Sequence, residues 1–106
     1  MSTTVFIVVN LYARPGAELA LRDYETAAAG IMDRYGGVIE SVIAPQSVLH
    51  DGRVPTEIHV LRFPNSGAFD LYRADPDLTR IAGLREAAIE HTEIFIGHPG
   101  TPYQVR

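Results

Sequence analysis

An arginine within an apolar helical stripe is the feature of the sequence that most directly suggests chemistry. A helix is predicted over residues 77–90, and Arg85 falls at the centre of its apolar stripe, which is formed by Leu78, Ile81, Ala82, Ala88 and Ile89. An unpaired buried charge costs several kcal/mol, so the guanidinium requires acceptors. A ligand carboxylate or enolate could accept two hydrogen bonds, a protein carboxylate could pair with it, or its head could reach water beyond the core. The sequence leaves these alternatives open.

A histidine and a glutamate alternate with apolar residues in the stretch "PTEIHVLRFP", a predicted strand between two prolines. An imidazole suits general acid or base catalysis, but Glu57 and His59 stand too far apart along the strand for contact to be assumed. If Ile58 and Val60 face the helices, then Glu57 and His59 lie on the opposite sheet face and do not share a site with Arg85. Without a positioned partner, His59 is interpreted first as a hydrogen-bonded surface or interface residue, and second as a catalytic one.

Other polar and aromatic side chains are candidates for contact with a ligand. Arg62 has the parity of Ile58 and Val60, so it could join Arg85 near the strand end or emerge into solvent. On the face of Glu57 and His59, the first strand presents either Asn10 or Leu11, and the last strand adds Glu93 and Phe95. Four tyrosines have two possible interpretations: they line an aromatic ligand pocket, or they belong to the core with their hydroxyls at its rim. They are Tyr12, Tyr24, Tyr35 and Tyr72.

Several kinds of site lack their sequence signals. The four histidines, His50, His59, His91 and His98, have no spacing typical of a metal site, so no metal is predicted. No phosphate-binding glycine loop and no Gly-x-Ser-x-Gly motif is present, and no cofactor is predicted. A net charge of −4 without a basic run argues against nucleic acid and membrane surfaces as partners. The chain has no cysteine, no predicted membrane span and no apparent leader, so a cytoplasmic location is expected.

The predicted elements that must position these residues alternate between strands and helices. Residues 5–12, 38–44, 56–63 and 91–97 are predicted strands. A helix is predicted over residues 17–35, with Arg22, Glu25, Ala29 and Asp33 on its outer side and Gly36 ending it in a left-handed conformation. A short helix begins near Asn65 or Ser66 and is interrupted by Pro76 before the helix that carries Arg85.

This order predicts an α+β, ferredoxin-like βαββαβ fold, in which an antiparallel four-stranded sheet carries helices on one face. One domain is expected over residues 1–97, followed by an extended C-terminal tail over residues 98–106. A single helix layer leaves the second sheet face open to water unless a partner covers it. Self-association is therefore expected.

Three stretches resemble a small domain-of-unknown-function family within the dimeric α/β-barrel superfamily: "YGG" at residues 35–37, residues 55–88, and "TEIFIG" at residues 92–97. The resemblance implies that two ferredoxin-like protomers pack sheet to sheet. The superfamily includes cofactor-independent monooxygenases of aromatic polyketides, muconolactone isomerases and haem-degrading proteins. Arg85 in "GLREAA" corresponds to an arginine of the family pattern and Tyr72 to an aromatic residue. The monooxygenase branch commonly has a tryptophan, and this chain has none.

Two functions follow as alternatives. The first is a homodimeric α/β-barrel protein that binds a small aromatic or carbonyl-bearing molecule, with cofactor-independent isomerisation or oxygenation as its chemistry. Arg85, His59 and Tyr72 are its predicted catalytic residues, and its predicted ligand-binding residues are Asn10, Tyr12, Arg62 and Glu57. The second is a non-catalytic binding or assembly module in which Arg85 forms a structural ion pair.

Overall fold

The computed structural model describes residues 3–104 and contains four strands and four helices. In chain order these are β1 (Val5–Ala13), α1 (Glu18–Asp33), β2 (Val38–Ile43), β3 (Glu57–Phe63), α2 (Ser66–Ala74), α3 (Pro76–Arg80), α4 (Ala82–Ala88) and β4 (Ile89–Gly97). The strands form one antiparallel sheet in the order β2-β3-β1-β4. The predicted α+β, ferredoxin-like fold is confirmed.

Helix α1 is held against the sheet by the apolar side chains of one stripe, which are Leu21, Ala28, Ile31 and Met32. Gly36 follows the helix with φ of 74°, the left-handed conformation predicted from its sequence position. Gly37 lies directly beside the Phe63 ring, where a side chain would clash. The two glycines therefore turn the chain tightly from α1 into the edge strand β2.

The region predicted as one helix over residues 77–90 consists of two shorter helices, α3 and α4, which meet at Ile81. Asn65 caps α2, because its side-chain oxygen accepts a hydrogen bond from the Ala68 amide at 2.8 Å. Asp75 caps α3 in the same way, accepting from the Asp77 amide at 2.8 Å. Strand β4 starts two residues earlier than predicted, because Ile89 is buried beside Leu11 and Ala88.

The side chains facing the helices form two apolar clusters. The larger one packs Val5 and Ile7 of β1 against the aromatic rings of Phe63, Phe69 and Tyr72. The smaller one joins Leu11, Leu21, Ala88 and Ile89 at the other end of the layer. Odd-numbered residues of β1 thus face the helices.

The predicted orientation of β3 is wrong. Val9 pairs with His59 and Ile7 with Leu61, and directly paired residues point to the same sheet face. Glu57, His59, Leu61 and Phe63 therefore face the helices, and His59 is only 4% exposed. The prediction places Glu57 and His59 on the side of the sheet away from the core. Phe63 lies on the same face of β3 as these two residues and is fully buried, at 0% exposure, so this face is the one that packs against the helices.

Within residues 3–104, no helix covers the other face of the sheet. We call it the open face and define it by six apolar side chains, which are Phe6, Val8, Ile43, Ile58, Val60 and Phe95. Phe95 is 61% exposed on this face.

The predicted tail begins after β4. Residues 98–104 have no helix or strand, and Val105 and Arg106 lie outside the described residues. Within residues 3–104, none of the helices is long and apolar enough to span a bilayer.

Candidate functional site

A cavity of about 260 Å³ lies between the helix layer and the sheet. Its walls are mainly apolar and include Ile7, Val9, Leu61, Phe69 and Ile89. Seven polar side chains also line it, and they are Tyr24, Glu25, His59, Tyr72, Arg73, Arg85 and Thr92. An apolar cavity with a few convergent polar groups is the usual form of a small-molecule site.

Arg85 lines this cavity from α4, the side that its position in the apolar stripe predicts. Its Nη2 donates a hydrogen bond to Thr92 Oγ1 at 3.3 Å. Thr92 pairs with Leu11 across the sheet, so its hydroxyl also points toward the helices. Within residues 3–104, Arg85 forms no ion pair with a carboxylate. Its guanidinium therefore has donors left to offer to a ligand.

His59 lines the same cavity as Arg85, so the prediction that they lie on opposite sides of the sheet is wrong. Each ring nitrogen faces a different carboxylate. Nε2 is 2.8 Å from Glu57 Oε1, and Nδ1 is 3.5 Å from Glu25 Oε2. Glu57 does contact His59, although the two residues are separated along the strand, because both side chains point to the same sheet face and the glutamate carboxylate reaches the edge of the ring.

Glu25 is a site residue whose predicted position, on the outer side of α1, is wrong. It stands four residues after Leu21 and three before Ala28, both of which are buried on the inner stripe of the helix. That spacing is the signal by which the sequence could have revealed it. Burial raises the pKa of Glu25, and the neighbouring Glu57 charge adds to the increase, while His59 and Arg85 oppose it. A carboxyl group with a raised pKa is suited to proton transfer near neutral pH.

Two tyrosines supply neutral hydroxyl donors to the cavity. Burial raises the pKa of Tyr72 strongly, and burial followed by the Glu25 charge raises the pKa of Tyr24. Both phenols consequently keep their protons at neutral pH. Tyr72 also packs its ring against Phe63, with ring centroids 5.5 Å apart, which holds the α2 wall in place.

Three predicted ligand-binding residues, Asn10, Tyr12 and Arg62, lie on the other side of the sheet. Asn10 Nδ2 and the Tyr12 hydroxyl both donate to Glu93 Oε1, at 3.2 and 2.7 Å. The Tyr12 bond raises the pKa of Tyr12 and lowers that of Glu93. Arg62 forms an ion pair with Glu40 of β2 instead of approaching Arg85. Their ligand-binding roles stay predictions, and Glu57 touches the cavity only through His59.

No metal centre accompanies this arrangement. Among residues 3–104, no group of three or more His, Asp or Glu side chains is arranged to hold a metal ion. The polar groups of the cavity offer a defined set of interactions: an arginine for negative charge, two phenols that donate hydrogen bonds, and a histidine between two carboxylates.

Several solved structures are similar to this protein in fold. No family model matches the chain, and no curated protein sequence matches it. RPA0582, a protein of unknown function from Rhodopseudomonas palustris, has a TM-score of 0.84 at 18% identity, with 96% of this chain and 86% of that chain covered. SnoaB, a cofactor-independent oxygenase from Streptomyces nogalater, has a TM-score of 0.71 at 15% identity, covering 95% and 97% of the two chains.

An uncharacterised NIPSNAP-like domain protein from Burkholderia xenovorans is a third neighbour, with a TM-score of 0.68 at 11% identity over 99% of this chain and 92% of that chain. These likenesses agree with the predicted ferredoxin-like fold. The structural neighbours thus include a cofactor-independent oxygenase and proteins of unknown function. Identities this low establish a shared fold and leave the chemistry to be argued from the cavity.

Proposed function

We propose that the protein binds a small aromatic or carbonyl-bearing molecule in the interior cavity and transfers a proton to or from it without a cofactor. The observation that carries this proposal is the convergence of Arg85 with His59 and Glu25 on one largely apolar cavity. A cofactor-independent isomerase needs these two functions, a base for a carbon-bound proton and a cation for the resulting enolate. Cofactor-independent oxygenation, the activity named for SnoaB, also begins from such an anion when dioxygen is the co-substrate.

The arrangement supports separate roles for the cavity residues. Arg85 donates hydrogen bonds to the carbonyl oxygen and stabilises the negative charge that develops on it. Its guanidinium can offer two N–H groups side by side to such an oxygen or to a carboxylate. The acid–base pair of Glu25 and His59 accepts the proton from the adjacent carbon. Tyr72 donates a hydrogen bond as a neutral phenol. The apolar walls hold an aromatic ring and keep water from the anion.

The proposal also includes a homodimer formed through the open face. An uncovered row of apolar side chains on a sheet is the kind of surface that a second copy of the same chain buries. Such packing would enclose the open face between two sheets and leave each cavity between its own sheet and helices. The polar cluster of Asn10, Tyr12 and Glu93 would then lie next to the subunit interface.

Thermal stability in the presence of candidate ligands tests the function. A panel of aromatic carboxylic acids, lactones and hydroxyquinones should contain a compound that raises Tm, because a ligand at about 100 times its Kd adds about 2.7 kcal/mol to the folded state. Arg85→Leu should weaken binding of that compound roughly 10- to 100-fold, which corresponds to losing hydrogen bonds from a charged donor. Arg80→Leu serves as the control, because Arg80 is an exposed arginine on α3 outside the cavity.

Circular dichroism must show that both arginine variants remain folded. Unchanged binding in Arg85→Leu would remove Arg85 from the site. A third outcome is that Arg85→Leu loses binding while the wild type shows no proton exchange between the bound compound and D₂O. The protein would then bind the compound without catalysing proton transfer. Exchange into the carbon next to the carbonyl would support the proposed chemistry.

A further inference from the structure

The wall that separates the interior cavity from the outside contains titratable groups. A second cavity of about 370 Å³ lies between α1 and the β2–β3 edge, and we call it the outer groove. Glu25 and His59 line both the interior cavity and the outer groove, whereas Glu57 lines only the groove. The three side chains therefore span the wall from one space to the other.

Two contacts of different length join these three side chains: a hydrogen bond between Glu57 and His59, and a longer ion-pair contact between His59 and Glu25. Glu57 Oε1 lies 2.8 Å from one ring nitrogen of His59, and Glu25 Oε2 lies 3.5 Å from the other. The imidazole side chain is 5% exposed, while the Glu57 side chain is 33% exposed. The Glu25 side chain is 21% exposed and also borders the groove, so water meets Glu57, the most exposed of the three, most readily. The buried ring connects the Glu57 carboxylate to Glu25. A neutral imidazole can accept a proton at one nitrogen while releasing one from the other.

We infer that Glu57, His59 and Glu25 form a proton relay between water in the outer groove and the interior cavity, with Glu25 as the group that exchanges a proton with the ligand. The ligand part of this inference rests on the proposed function. Glu25 acts as the catalytic base, and Glu57 acts at a distance from the ligand. The role of His59 changes accordingly from direct base to the connecting member.

The net result of the proposed transfer is that one proton moves from the ligand to water in the outer groove. The C–H bond of the ligand breaks, Glu25 gains the proton, and the electron pair stays on the ligand as an enolate beside Arg85. Glu25 then passes the proton to His59 Nδ1, while the proton on Nε2 moves to Glu57 and on to water. Transfer in the opposite direction reprotonates the ligand and restores the original tautomer of the ring.

Other charged and titratable groups face the relay and contribute to its energetics. Arg85 from α4 favours the charged form of Glu25, whereas burial and the Glu57 charge disfavour it. Further groups around the relay are Tyr24 of α1 together with Tyr72 and Arg73 of α2 on the cavity side, and Glu18 and Arg22 of α1 on the groove side.

Carbon-13 NMR of the glutamate carboxyl groups tests the relay without a ligand. Glu57→Gln should lower the pKa of Glu25, because a negative charge that raises it is removed. His59→Gln should raise the pKa of Glu25 further, because the imidazole that lowers it is removed. Glu18→Gln is the matched control on the groove side and should leave Glu25 unchanged.

Exchange of the His59 ring proton with water gives a second measurement on the same samples. Because an amide does not accept and release a proton as a carboxylate does, Glu57→Gln should slow this exchange about 100-fold, the lower end of the range for general acid–base transfer. An unchanged Glu25 titration in both Glu57→Gln and His59→Gln, in variants with a native amide spectrum, would overturn the relay. Ring-proton exchange that is unchanged in Glu57→Gln would also overturn the relay. If instead the exchange slows and the couplings appear, but no compound in the ligand panel raises Tm, the relay stands and the proposed function fails.

Discussion

At the scale of single residues, Glu25 imposes a pH dependence on stability. Its pKa in the folded state is raised above the ordinary value of 4.5, chiefly by burial. The folded state therefore holds the proton more tightly than the unfolded state, and this contribution to stability is complete below about pH 4.5. It is lost as pH rises through the raised pKa. The site thus carries an energetic cost at neutral pH that a packing residue would not.

Glu25→Gln should remove this cost. Because the glutamine cannot ionise, we expect the variant to be more stable than the wild type at pH 7 to 8. We expect the difference to shrink as pH falls through the raised pKa of Glu25 toward 4.5, below which Glu25 is protonated in both the folded and the unfolded state. Urea unfolding across this pH range measures the effect. A variant that is less stable by the same amount at every pH would show that Glu25 is held by favourable contacts instead.

Residue positions are only partly predictable from the sequence. Arg85 stands out because a guanidinium within an apolar helical stripe is chemically anomalous. The sheet face of His59 is predicted wrongly because both faces of β3 carry apolar side chains, so alternation alone does not tell which face is covered. The structure shows polar residues facing inward there, a departure from packing rules that is typical of functional sites.

At the scale of elements, the connection from α1 to β2 depends on the close approach of Gly37 to the core. A Cβ at this position would overlap Met32 and the ring of Phe63. Gly37→Ala should therefore destabilise the fold by about 1–3 kcal/mol through overpacking. Gly30 lies in α1, where an added Cβ would meet no atom within 4 Å, so Gly30→Ala should stabilise by about 0.5–1 kcal/mol.

Chemical denaturation of the two glycine variants measures both changes. Opposite signs are expected for the same substitution, since one site is crowded and the other is a solvent-facing helix position. A loss of stability in Gly30→Ala comparable to that in Gly37→Ala would contradict the packing explanation.

The elements themselves are largely predictable. β1, α1, β2 and β3 follow the predicted order, because alternation, helical spacing and glycine positions all act over short segments. The break between α3 and α4 is not predicted, since the apolar stripe continues across Ile81 and gives no local sign of a turn. The position of such a helix break depends on contacts between the helix layer and the sheet, and these contacts cannot be predicted from a single sequence.

At the scale of the whole molecule, the open face should control assembly. Light scattering should give twice the mass of one chain at micromolar concentration. Phe95→Asp should raise the dimer dissociation constant about 30-fold or more, the effect of losing roughly 2 kcal/mol at an interface residue. Leu19→Asp is the control, because Leu19 is 77% exposed on α1, away from the open face. A wild-type monomer, or equal effects in the two variants, would contradict the proposed dimer.

His59 and Val60 are adjacent in the chain, yet one faces the cavity and the other the open face. If β3 slipped by one residue against β1, the imidazole would turn outward and the valine would turn inward. That single error would remove the acid–base residue from its cavity and place charge on the surface proposed for assembly. Misaligned chains would thus lose both proposed properties at once, so only chains with a correctly formed cavity would assemble.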